Sequence, residues 1–222
     1  MKFVRGSVFK PEKDYYKYAG AVLLVGAIQF FMAITFAETQ FPGYNVARNS
    51  LSTLGGSVPL VEPSAMVFNT GVILFGLLGL LAVYLILKSG GCRLFSTCLA
   101  ISSLGAIGVG LFPQYTGDTH LFFALTTFLF GSLATIFSYR LGLNIPMVIV
   151  SMVLGISSLI LIIVLLVVGA SPATNPIMAY LGVGGNERML AYPVILYLVA
   201  LGGYLTSRGQ DWVKIRFTKG YF

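Results

Sequence analysis

Apolar positions in this chain run almost unbroken for about twenty residues at a time, and polar positions gather in the intervals between the runs. Six windows have this character: Ala19 to Ala37, Met66 to Leu87, Leu94 to Phe112, Leu121 to Ser138, Met147 to Gly169 and Glu187 to Thr206. A hydrocarbon layer takes about 20 apolar residues to cross as a helix. The pattern therefore predicts an all-α polytopic membrane protein, a bundle of six transmembrane helices over residues 19–206, with short tails at 1–18 and 207–222. The first long interval, Glu38 to Ala65, contains NVARNSLSTLGG, Asn45 to Gly56. There Val46, Leu51 and Leu54 contrast with Asn45, Asn49 and Ser52 at helical offsets, Asn45 is a good helix cap and Gly55 and Gly56 are good stops. A short interfacial helix is expected, its apolar side on the bundle or lipid and its polar side towards a polar neighbour.

Composition agrees: 57% of residues are hydrophobic and 9% are charged, with a mean hydropathy of +0.89. Soluble domains carry about 25% charged residues. The basic N-terminal stretch lacks a short apolar run with a small-residue cleavage site, so the first span is expected to be retained. The net charge of +7 could suggest a nucleic acid partner, but no basic stripe with interleaved aromatics is present, and none is expected. The basic residues instead sort by side. Lys2, Arg5, Lys10, Lys13, Lys17, Lys88, Arg93, Arg140, Arg208, Lys214, Arg216 and Lys219 fall on one side, against only Arg48 and Arg188 on the other. Positive residues are retained inside, which predicts cell-membrane insertion with both termini cytoplasmic. Glu38, Glu62, Asp118 and Glu187 then face outward. The tail segment DWVKIRFTKGYF alternates apolar and basic residues and is expected to lie on the inner leaflet.

Small and polar residues recur at helical spacing on three spans: Gly26, Gln29 and Ala33; Ser102, Ala106, Gly110 and Pro113; and His120, Ala124, Thr127, Gly131, Thr135 and Ser138. Such stripes let helix backbones approach one another in lipid. Pro193 is expected to kink the last span near Met189. No Asp, Glu, Lys or Arg lies in the middle of a span, which removes the usual basis for proton relays and ion-coupled carriers. Cys92 and Cys98 lie six residues apart on different helix faces, and His120 is the single histidine. A three-histidine zinc site and a bis-histidine haem are ruled out, and no metal or cofactor is expected.

Candidate chemistry gathers at the outer ends. Asp118 or Thr119 is placed to cap the fourth span, with His120 in its first turn as a possible acceptor or general base. Asn186 is placed to cap the last span, followed by Glu187 and Arg188. Ser52, His120 and Asp118 make up a possible Ser/His/acid set, although no nucleophile elbow marks Ser52. As ligand-binding residues the pattern offers Asn49, Ser52, Asn69, His120, Glu187 and Arg188: two amides, a hydroxyl, an imidazole, a carboxylate and a cation able to hold phosphate or carboxylate.

The succession Asn49-Ser50-Leu51-Ser52-Thr53-Leu54-Gly55, then Phe68-Asn69, then Gly110-Leu111-Phe112-Pro113 followed by His120, then Glu187-Arg188, resembles a family of prokaryotic six-span membrane proteins catalogued as domain of unknown function 998. The resemblance runs from about Ala19 to Thr206. It implies the topology and a polar outer cluster, and no reaction; the family often has an acid where this chain has Thr53. Two principal readings follow. The first is an outer-leaflet site that binds, and could process, a lipid head group or small polar ligand. The second is a non-catalytic structural or accessory subunit working with membrane-protein partners or as a homo-oligomer. A small-solute transporter is a third.

Overall fold

The computed structural model describes residues 15–207, and every regular element among them is helical. In chain order the α-helices are α1 (Tyr15–Thr39), α2 (Leu51–Gly56), α3 (Ser64–Lys88), α4 (Arg93–Leu111), α5 (Asp118–Phe137), α6 (Ile145–Val168) and α7 (Pro176–Ser207), with 3-10 turns at Gln114–Thr116 and Ser138–Leu141. All except α2 are long and apolar enough to cross a membrane, which bears out six spans plus a short helix in the first loop between them. The predicted inner-leaflet segment in the C-terminal tail lies outside the described residues.

Local chemistry sets the boundaries. Asn144 accepts from Met147 N at the start of α6, and a proline occupies the first turn where no amide donor is needed. Three expected caps differ. Gly117, not Asp118 or Thr119, occupies the N-cap position of α5. Asn45 caps only a turn, accepting from Ala47 N and Arg48 N; the short helix begins later, at Leu51, where Ser50 accepts from Thr53 N. The last helical stretch begins at Pro176, where buried Asn175 accepts from Ile177 N and Met178 N, and is broken at Gly182, so the long helix starts just after Gly182 rather than at Glu187. Asn186 is thus an interior residue of α7, not its cap. The one interior departure from helical geometry in α7 is at Gly182 (φ 75°) and not at Pro193.

The six spans close into a ring in sequence order: α1 meets α3, α3 meets α4, α4 meets α5, α5 meets α6, α6 meets α7, and α7 returns to α1. The small-residue stripes lie on these seams. Gln29 Nε2 donates to Gly71 O at 3.0 Å between α1 and α3, and Ser102 Oγ donates to Thr127 O at 2.9 Å between α4 and α5. Ser132 Oγ donates to Ser158 Oγ, and Ser158 Oγ to Leu190 O, both at 2.8 Å, tying α5, α6 and α7. With no water at this depth, satisfying these hydroxyls internally is what makes them tolerable. At one end of the ring Gly20 lies against Gly202 and Thr206, so Tyr15 and Ser207 share that end. At the other end Glu38 meets Arg188, and here α2 is embedded against α3, α1 and α7.

Candidate functional site

The segment from Phe41 to Gly56 forms the roof of this second end. Leu51 and Leu54 are 3% and 0% exposed, so burial of the apolar face holds α2 down on the bundle. Its C-terminal end is tied to α3 by Asn69 Nδ2 donating to Gly55 O at 2.9 Å. Its approach to α7 depends on two glycines. Gly182 takes a positive φ that L side chains rarely adopt, and a side chain there would also strike Ala47 O. At Gly184 an added Cβ would lie 2.1 Å from Asn49 O, and its amide donates to Ala47 O at 2.9 Å. The roof therefore rests directly on the backbone of α7.

Arg188, 8% exposed, is the hub of one polar group. Its Nη1 donates to Val46 O at 2.8 Å, Gly184 O at 3.0 Å and Asn49 O at 3.3 Å. Its Nη2 donates to Glu38 Oε1 at 2.5 Å and Tyr44 Oη at 2.8 Å. Tyr44 in turn donates to Ser50 O at 2.8 Å. Burial pushes the Tyr44 phenol up to about 12, with the Arg188 guanidinium pulling the other way, so the phenol remains a donor. Carboxylate, phenol and three carbonyls occupy the guanidinium.

A second polar group shares α2 and the same turn of α7. Glu187 Oε2 accepts from Leu51 N and Oε1 accepts from Ser52 Oγ, both at 2.7 Å. Ser52 Oγ also lies 2.9 Å from His120 Nε2, and His120 Nδ1 lies 2.8 Å from Phe112 O. A carbonyl can only accept, so the partner assigns the hydrogen to Nδ1 and leaves Nε2 facing the serine as an acceptor in the neutral ring. Ser52 has one hydrogen and two acceptors beside it. The chain from Phe112 to Glu187 therefore has room for one more proton than a neutral imidazole, a hydroxyl and a carboxylate supply.

This second group borders a cavity of about 220 Å³ between α5, α6 and α7. Ser50, Ser52, Gln114, His120, Asn186 and Glu187 form its polar side; Leu121, Leu125, Phe128, Leu165 and Leu190 are among its apolar walls, and no Lys or Arg lines it. Leu121 is 51% exposed, so the cavity borders the outer surface of the bundle. Asn186 is 4% exposed, and among the described residues no protein group hydrogen-bonds to its side chain, although it lines this space.

Of the residues singled out from sequence, Ser52, His120 and Glu187 form one hydrogen-bonded chain. Arg188 is adjacent but turned to Glu38. Asn49 binds Arg188 through its carbonyl, while its Oδ1 accepts from Asn45 N at 2.8 Å. Asn69 faces Gly55 and does not line the cavity; its Oδ1 is buried without a partner. Asp118 is exposed and contributes no hydrogen bond to the Ser52–His120 pair. Among the described residues no group of three or more His, Cys, Asp or Glu could hold a metal ion. Gln114 and Tyr44 were not singled out, and Asn186 only as a cap. The signal available for Asn186 was its place beside Glu187 and Arg188.

No curated protein and no solved structure matches the chain. Residues 24–204 match the family described as "Protein of unknown function (DUF998)", and the chain belongs to that family.

Proposed function

We propose that this DUF998 protein binds a membrane amphiphile, with the polar head group against Ser52, His120, Asn186 and Glu187 and the apolar part against Leu121, Leu125 and Leu165. The observation that carries this reading is Asn186. Asn186 is 4% exposed, none of the described protein groups hydrogen-bonds to its side chain, and a cavity borders it, so its amide is left to bond a guest in that space. The lining charge favours a neutral or cationic head group. Glu187 is the acid among the lining residues, and the neighbouring Arg188 is engaged with Glu38. The division of basic residues supports placing this end in the outer leaflet.

A structural reading also has an observation in its favour, because the Arg188 group ties α1, the roof and α7 together without any ligand. Native mass spectrometry of the detergent-purified protein separates the two. Wild type is expected to retain an amphiphile that Asn186→Leu loses while folding normally. An empty wild type, or equal retention by both, rejects the binding reading. The orientation has its own test: single cysteines at Ser57 and Thr116 should react with an impermeant reagent applied to cells, and one at Ser89 should not. The reverse pattern overturns it.

A further inference from the structure

Resting on the binding site just proposed, we infer that Ser52 and His120 are a nucleophile and general base acting on a carboxylic ester of a membrane amphiphile. Three features of the site carry this. Ser52 Oγ and His120 Nε2 are 2.9 Å apart, within reach for direct proton transfer. The other ring nitrogen is 2.8 Å from Phe112 O, an arrangement that fixes the ring and presents the basic nitrogen to the serine. Both residues line a cavity whose opposite walls are apolar, so a long-chain acyl group can lie there with its carbonyl near Oγ. Asn186, whose amide none of the described protein groups occupies, is the donor available to the carbonyl oxygen as negative charge develops.

The chemistry balances with water as the second reactant. Ser52 Oγ bonds to the acyl carbon as its proton passes to His120 Nε2. The carbon–oxygen bond to the alcohol then breaks, and the departing alcohol takes that proton. Water attacks the acyl-serine while Nε2 accepts one of its protons; the carboxylic acid leaves and Ser52 regains the proton. His120 and Ser52 touch the reacting atoms and are the catalytic residues. Glu187 holds α2, which carries Ser52, through Leu51 N, and its Oε1 accepts the Ser52 hydroxyl at rest, so the hydroxyl turns from Glu187 to Nε2 before the proton passes. Among the described residues no cation lines the site, which selects esters of neutral alcohols over phosphate-bearing ones.

The test uses the full-length protein in detergent with a long-chain alkyl fluorophosphonate, which forms a stable bond only with an activated serine, and monoacylglycerol as the binding probe. Intact and peptide mass spectrometry should find one adduct, on Ser52, absent in Ser52→Ala. Labelling of His120→Gln should be slower by about 100-fold or more, with monodispersity and thermal unfolding checked to show that it folds. Monoacylglycerol should remain bound to Ser52→Ala by native mass spectrometry. Folded wild type that binds monoacylglycerol and gains no adduct at Ser52 overturns the catalytic inference and leaves the binding site standing. An adduct formed at an unchanged rate in His120→Gln overturns it as well. Wild type that neither binds nor reacts removes both readings.

Discussion

Arg188 and Asn186 lie two residues apart on α7 and are both more than nine-tenths buried, at 8% and 4% exposure. Around Arg188 every neighbour is an acceptor, and the guanidinium donates to five of them. Beside Asn186 there is a cavity and no partner. The contrast teaches that residue type is a poor guide to role at this end of the bundle. A cation looks like a ligand contact, yet the protein consumes it internally; an amide that looks like a helix cap is a polar group left facing the cavity.

The sharpest way to break this comparison is Arg188→Gln. Removing one member of a buried ion pair strands the other, at a cost of about 3–5 kcal/mol. Because Glu38 is 22% exposed, the lower end of that range is expected. Equilibrium unfolding in mixed micelles measures it, and a loss near zero would mean that the Arg188 group is not structural. Glu187→Gln comes next. It replaces one acceptor oxygen of a carboxylate that receives Leu51 N and Ser52 Oγ, and bonds to charged groups are worth about 1.5–3 kcal/mol.

Tyr44→Phe should be milder, about 1 kcal/mol at neutral pH, with a signature in base. The folded phenol is raised from its ordinary value to about 12. Its contribution is therefore complete below the unfolded value of about 10 and lost as pH rises towards 12. Wild-type unfolding midpoints should fall across that window more steeply than those of Tyr44→Phe, and parallel profiles would remove the assignment. Asn186→Leu should have the smallest effect on stability, near zero or slightly positive, since it removes an amide that bonds to nothing in the protein. A loss as large as that of Arg188→Gln would erase the distinction between the two residues.

The six spans were legible because hydropathy alone determines what can cross a bilayer, and a helix in the first loop was legible from its apolar offsets, although Ser50 rather than Asn45 caps it and Gly55 and Gly56 lie within it. Where the structure differs, a local signal was outweighed by a tertiary one. The glycines before Asn186 read as a loop; Gly182 does break the helix, but Gly184 is helical, and at both the roof presses too close for any side chain. Pairing across the ring was only partly readable. Glu38 was one of several acids able to meet Arg188, and Ser52 and His120, 68 residues apart, shared only an end of the bundle. Their 2.9 Å separation depends on how α2 tilts into the ring, which no periodicity encodes. The gap beside Asn186 is a property of three helices at once.

The contact that seals the ring also fixes an order of events during synthesis. Glu38 and Arg188 are 150 residues apart, on the first and last spans. A chain delivered to the bilayer from its N-terminus can lay α1 and α3 to α6 side by side as each emerges, but the seam between α1 and α7 must wait for the end of translation. Until then Glu38 lacks the Arg188 guanidinium, Leu51 N and Ser52 Oγ lack the Glu187 carboxylate, and the roof is held on its α3 side, by Asn69 and Ser64, but not on its α7 side. The α7-facing side of the second helix is thus the last to be latched. A nascent chain halted before α7 would display five inserted spans and an unlatched loop, a form that membrane quality-control proteases could distinguish from the finished protein.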